Sequence, residues 1–194
     1  MENTQTKILK NMNGILKLII GPMYAGKSTE LINNIRQYKF IGKRIMAINH
    51  NINKRYGSEC IITHNGEEVT SSINIEKLDE IINKYGDRLS KSDVIIIDEL
   101  QFFPDAFDIV IKLVDKYKKT VICAGLIADY KKNSFGDVLK LIPHADNVVF
   151  LSSICSICKD GTPGHFSKRI INSEKQTDVG SGDKYISVCR KHFN

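Results

Sequence analysis

The chain has 194 residues, 42% of them hydrophobic, and its 28 Lys and Arg outnumber 22 Asp and Glu for a formal charge of +6. That apolar content can bury one sizeable core, which excludes a disordered chain and one built of several large domains. The first 14 residues are polar and lack the apolar segment of a secretion signal. No later apolar run approaches the roughly 20 residues that span a bilayer, so a soluble intracellular protein with no membrane partner is expected.

Residues 1–13 read as a disordered leader. Ile15-Leu16-Lys17-Leu18-Ile19-Ile20 then reads as a strand, and Leu31, Ile32, Ile35 and Tyr38 follow at helical spacing. Further apolar runs at 44–48, 94–97, 121–124 and 148–151 each predict a strand covered on both faces. Helical spacing returns at Phe107, Val110, Ile111, Val114 and Tyr117, just after Pro104. Strands alternating with helices imply crossover connections and a mostly parallel sheet. Asn65-Gly66 lies between two strand-like stretches, Cys60 to His64 and Glu67 to Thr70, and predicts a hairpin. From Ser152 the regular periods give way to Cys, Gly, Lys and Ser, which marks a small C-terminal domain. The expected organisation is a leader, a core over 14–151 and a second domain over 152–194.

Gly21-Pro22-Met23-Tyr24-Ala25-Gly26-Lys27-Ser28 matches G-x-x-x-x-G-K-[ST], between an apolar strand and an amphipathic helix. Its glycines let several backbone N–H groups converge on one anion at a helix N-terminus. Lys27 would then reach the β- and γ-phosphates of a nucleotide, and Ser28 would ligate Mg²⁺. The run 94–97 ends in Asp98-Glu99, where α/β sheets keep their ligand crevice. One carboxylate can serve the metal while the other takes a proton from an attacking group. The fold class is therefore α/β, a P-loop NTPase core with a mostly parallel sheet flanked by helices.

Five cysteines make an odd number, and a disulfide framework is not expected. Cys155-x₂-Cys158 and Cys189-x₂-His192 form two close pairs, the spacing of a closed tetrahedral zinc site. With four protein ligands such a zinc is structural, and it ties both ends of the loop 159–188. Cys60 and Cys123 lie in strand-like runs and read as core thiols. His50, His64, His144 and His165 are given no ligand role. The Lys and Arg are scattered, so a nucleic-acid partner is only the alternative, in the form of a zinc-ribbon binder carrying a P-loop ATPase.

In order along roughly 13–193, the loop 21–28, Asp98-Glu99-Leu100-Gln101-Phe102-Phe103, Ser167-Lys168-Arg169, Asp183-Lys184-Tyr185 and Cys189-Arg190-Lys191-His192 resemble the thymidine kinase family of the zinc-containing, tetrameric type. The resemblance implies transfer of the ATP γ-phosphate to the 5′-hydroxyl of thymidine, giving dTMP and ADP for DNA synthesis. A deoxynucleoside kinase of relaxed specificity is a close variant. Position by position it implies Glu99 as general base, Lys27 and Arg55 as catalytic cations, and Asp98 with Ser28 on Mg²⁺. ATP contacts are implied for the whole loop and for Asn53, Arg55, Asp98 and Gln101. Met23, Phe102, Leu126 and Tyr130 resemble the walls of the nucleoside pocket. Ser167 resembles a hydroxyl residue beside the base, and Gln176, Thr177, Asp178, Val179 and Gly180 a lid or lasso segment whose backbone reads it, with Tyr185 closing the site. The family also implies a homotetramer and feedback inhibition by dTTP. This sequence departs from the family pattern at Ile127, Asn53 and Leu100.

Overall fold

The computed structural model describes residues 13–52, 60–62, 68–70, 72–172 and 184–194. The core strands are β1 (Ile15–Ile20), β2 (Ile45–His50), β5 (Ser72–Ile75), β6 (Val94–Ile97), β7 (Thr120–Gly125) and β8 (Asn147–Phe150). They form one sheet in the order β5-β2-β6-β7-β1-β8, with every neighbouring pair parallel. All six strands therefore end on the same edge, and the loops that leave that edge share one crevice.

Side chains alternate between the two faces of this sheet, and both faces are covered. Leu16, Leu18, Ile20, Ile95, Ile97 and Val121 point into one core cluster. Ile19, Val94, Ile96, Ile122 and Ala124 point into the other, where Leu31, Ile32 and Ile35 of α1 (Lys27–Phe40) meet them. The first cluster is roofed by α2 (Glu80–Asn83), α3 (Gly86–Lys91), α4 (Ala106–Ile111) and α5 (Val138–Leu141), through Ile81, Leu89, Val110 and Leu141 among others. The helix expected after Pro104 forms as α4 and runs on as a π-helical turn, Lys112–Lys116. Cys123 is buried in this core, and the loss of water pushes its thiol far above the usual range.

One expected strand differs from its prediction. β8 pairs with β1 alone and closes the sheet as an edge, leaving Val148 40% and Phe150 58% exposed. Among the described residues no helix covers its outer face, so the run is apolar without being covered on both sides. Away from the sheet, β3 (Cys60–Ile62) and β4 (Glu68–Thr70) pair antiparallel in the predicted hairpin, Ile61 opposite Val69. The Asn65-Gly66 turn itself and the leader lie outside the described residues. Beyond Leu151 the elements are short: β9 (Ser153–Ile154) with β10 (Pro163–Gly164), β11 (Phe166–Arg169) with β12 (Tyr185–Val188), and α6 (Arg190–Phe193). No helix of the described residues is long and apolar enough to cross a membrane.

Candidate active site

The loop between β1 and α1 turns through left-handed backbone at Tyr24 (φ 62°) and Gly26 (φ 80°). Glycine adopts that conformation freely, whereas Tyr24 must be held in it by its surroundings. Beyond the turn the first N–H groups of α1 lack helical acceptors, the first helical bond being from the Glu30 N–H to Gly26 O, and such groups suit an anion. Lys27, the first residue of α1, folds back and donates its Nζ to Pro22 O at 2.7 Å. Burial holds its ammonium below the ordinary lysine range, with Glu99 and then Asp98 opposing that shift.

Asp98 and Glu99 leave the end of β6 on the same edge. The Ser28 hydroxyl donates to Asp98 Oδ2 at 3.0 Å, and the Glu99 N–H donates to Asp98 Oδ1 at 2.9 Å. Asp98 is buried, and the loss of water, then the Glu99 carboxylate beside it, pushes its carboxyl up to about 7 against those two hydrogen bonds and Lys27. A buried carboxylate with a hydroxyl alongside offers the oxygen donors that a hard divalent cation takes. Glu99 itself sits in left-handed backbone (φ 54°), and its side chain is held by Gln101, whose Nε2 donates to Glu99 Oε2 at 2.5 Å. The other end of the Gln101 amide accepts the Leu126 N–H at 2.9 Å, tying this carboxylate to the end of β7.

Ser167 of β11 and Ser187 of β12 both reach Met23 in the loop. Ser167 Oγ accepts the Met23 N–H at 2.9 Å, and the Ser187 hydroxyl donates to the Met23 carbonyl. Nearby, the Arg169 guanidinium lies 3.7 Å from the centre of the Tyr130 ring and donates through Nε to the Tyr185 hydroxyl at 3.1 Å. Arg169 thus links Tyr130 and Tyr185, lying over the ring of the first and bonding the hydroxyl of the second. Phe102 meets Phe135 edge-on at 5.6 Å and His50 at 5.7 Å. The segment after Leu126 closes on itself, because Asp129 accepts the N–H groups of Lys131 and Asn133, at 2.8 and 2.9 Å. Lys132 from that segment stands 3.8 Å over the Phe193 ring and 4.8 Å over Phe166, and so docks α6 and β11 against it.

Cys155, Cys158, Cys189 and His192 bring their ligand atoms within 4.8 Å of one another. Cys158 Sγ lies 3.8 Å from Cys189 Sγ, and His192 Nδ1 lies 3.6, 3.3 and 3.4 Å from the sulfurs of Cys155, Cys158 and Cys189. Zinc bonds of about 2.3 Å to sulfur and 2.0 Å to nitrogen give tetrahedral edges of about 3.5 to 3.8 Å. The separations and the soft donors fit, and the four side chains can hold a metal ion. Around them, Val188 is buried with Cys155 and Cys189, while Lys168 Nζ donates to His192 O at 2.8 Å.

The structure gathers Lys27, Ser28, Asp98, Glu99 and Gln101 at the ends of β1 and β6, joins Met23 to Ser167, and joins Tyr130 to Tyr185 through Arg169. Asn53, Arg55, Gln176, Thr177, Asp178, Val179 and Gly180 lie outside the described residues. Sequence reasoning missed Ser187, whose place opposite Ser167 needs the β11–β12 register, and gave no role to Arg169, a member of a quoted motif.

The thymidine kinase family model matches residues 14–193. The thymidine kinase of Choristoneura fumiferana entomopoxvirus is 39% identical over 184 residues, covering 92% of this chain and 96% of the viral one. That of Pseudothermotoga lettingae is 33% identical, covering 94% and 96%. That of Oryza sativa subsp. japonica is 38% identical and covers 93% of this chain, which spans 66% of the rice protein's length. With most of its length matched by the family model and by such relatives, the chain belongs to the thymidine kinase family.

Proposed function

We propose that this kinase transfers the γ-phosphoryl group of ATP to the 5′-hydroxyl of thymidine, yielding dTMP and ADP. The observation that carries the reading is the pairing of two carboxylates at the end of β6, Asp98 bonded to Ser28 of the phosphate-binding loop and Glu99 fixed by Gln101. A primary hydroxyl is a poor nucleophile at neutral pH, and a carboxylate aimed by a neighbouring amide can take its proton as the oxygen attacks phosphorus. The loop N–H groups and Lys27 offset the charge that moves onto the phosphate oxygens as the bond to ADP breaks. Ser28 and Asp98 would hold Mg²⁺, which supplies further charge neutralisation at the phosphates when bound. Arg55 is assigned the same electrostatic role, and Asn53 a contact to the nucleotide.

On this reading residues 14–151 carry ATP and residues 152–194 carry the zinc and the nucleoside lid. Met23, Phe102, Leu126 and Tyr130 wall the nucleoside, Ser167 lies beside the base, Gln176, Thr177, Asp178, Val179 and Gly180 read it through their backbone, and Tyr185 closes the site. Zinc at Cys155, Cys158, Cys189 and His192 is structural, since all four tetrahedral positions come from protein. The same assignment brings a homotetramer, dTTP as feedback inhibitor and a cytoplasmic place of action.

The test is ADP release from ATP and Mg²⁺ with thymidine, with deoxycytidine and with no nucleoside. Thymidine-dependent release is expected, lost by about 10²- to 10⁴-fold in Glu99→Gln while ADP binding persists. Equal turnover with deoxycytidine would replace thymidine specificity by relaxed specificity. Release that ignores nucleosides, together with salt-sensitive DNA binding, would overturn the reading in favour of a nucleic-acid-binding ATPase.

A further inference from the structure

Ser167 and Ser187 are direct partners across the β11–β12 ladder, and both hydroxyls end on one residue of the phosphate-binding loop. The peptide group that carries the Met23 N–H, held by Ser167, also carries Pro22 O, which receives Lys27 Nζ at 2.7 Å. The next peptide group carries Met23 O, held by Ser187. Two successive peptide groups just before the left-handed turn at Tyr24 are therefore oriented from outside the loop, by groups on β11 and β12.

The anchor is rigid at its other end. Ser187 is fully buried, and its own carbonyl accepts the Ser156 N–H at 2.9 Å, inside the turn between Cys155 and Cys158. Two residues further on lies Cys189. Ser187 is thus joined by a hydrogen bond to one half of the metal-binding cluster and by the chain to the other. A loop that must aim several N–H groups at one anion binds it more tightly when its backbone is already ordered.

We propose that Ser187 is a positioning residue for the nucleotide phosphates: with Ser167 it transmits the order of the metal-binding C-terminal element to the phosphate-binding loop through the Met23 peptide groups. The proposal rests on the reading of residues 21–28 as the ATP site. It assigns a phosphate-directed role to a strand whose neighbours face the nucleoside and the metal.

The experiment is calorimetric titration of ADP with Mg²⁺ into wild type, Ser187→Ala, Ser187→Thr and Ser167→Ala, with hydrogen exchange followed over residues 21–28 and over β7. Removing the Ser187 donor is expected to raise the ADP Kd about tenfold, the worth of one hydrogen bond. Exchange in the loop should accelerate while β7 stays protected, and Ser187→Thr, which keeps the hydroxyl, should restore binding to within about threefold of wild type. Ser167→Ala, which removes only the acceptor, should weaken ADP several-fold and carries the test if Ser187→Ala does not fold. Wild-type protein that fails to bind ADP would defeat the ATP-site reading itself. Wild-type binding with unchanged affinity in the alanine variants would overturn the positioning role alone. So would a loss that threonine does not rescue and that exposes β7 as well.

Discussion

The Gln101 amide donates to the Glu99 carboxylate at 2.5 Å and takes the Leu126 N–H at 2.9 Å, so the side chain proposed as general base is fixed to the central sheet through one neutral residue. Gln101 is 4% exposed, and the bond it gives Glu99 is partly buried. Hydrogen bonds to charged groups contribute about 1.5–3 kcal/mol. Replacing Gln101 by Leu should therefore lower kcat by about 10- to 100-fold through misplacement of Glu99, and ADP titration separates that effect from the nucleotide contact expected of Gln101. Steady-state kinetics beside ADP titration checks this. A kcat within threefold of wild type would show that Glu99 is aimed by something else.

Gly136 supports the same contact from behind. Its φ is +60°, and a Cβ built there would stand 2.5 Å from Gln101 O and 3.0 Å from Gln101 Cα, which are backbone atoms that cannot swing away. Gly136→Ala should combine a strained backbone with a push on Gln101, costing about 2 kcal/mol or more, or a fall in Tm of about 4–8 °C. It should also depress kcat as Gln101→Leu does. Gly42→Ala is the control, because Gly42 has φ +73° with nothing within 4 Å of its would-be Cβ. That variant should show the backbone cost and no loss of kcat.

The sheet was legible because runs such as Val94-Ile95-Ile96-Ile97, short, β-branched and apolar on both alternating sets of positions, suit a strand covered on two faces. Val148 and Phe150 look the same in sequence, yet β8 is an edge, since strand order is set by the crossovers and not by composition. The turn between β1 and α1 and the cysteine pairs could be read because both motifs depend on local spacing. The Ser187 contact to Met23 joins residues 164 apart, and the Gln101 bridge depends on where β7 ends, so neither leaves a local pattern. The two-strand ladder that aligns Ser167 with Ser187 exists only once the chain returns from 172 to 184.

His50 gives a pH signature. Its Nδ1 accepts the Ile52 N–H at 3.0 Å, and its ring packs against Phe103 at 4.8 Å and Phe102 at 5.7 Å. Burial lowers its pKa below the ordinary 6.5, with Glu76 and Glu99 only partly opposing. The unfolded chain then binds this proton more readily than the folded one, so the stability tied to neutral His50 is complete above the unfolded value and is lost as pH falls through the folded one. His50→Asn keeps an acceptor and removes the titration. The Tm advantage of wild type over His50→Asn should be larger at pH 7.5 than at pH 5.5, and an advantage that grows on acidification would contradict the burial argument.

The metal cluster provides the remaining prediction. Three sulfurs and an imidazole nitrogen within 4.8 Å of one another crowd groups that repel once deprotonated, and a cation at their centre turns that repulsion into attraction. Protein purified without chelator should carry one zinc ion per chain, and Cys189→Ser should lose it. Metal loss should lower the Tm and raise the ADP Kd as well, because the turn at Ser156 that the cluster shapes is bonded to Ser187, and Ser187 to Met23. Elemental analysis, thermal melting and ADP titration of wild type before and after chelation check all three. Protein that arrives metal-free and melts no lower in Cys189→Ser would remove zinc from these four residues. A zinc-loaded protein whose ADP affinity ignores chelation would leave the ion structural and cut its link to the phosphate-binding loop.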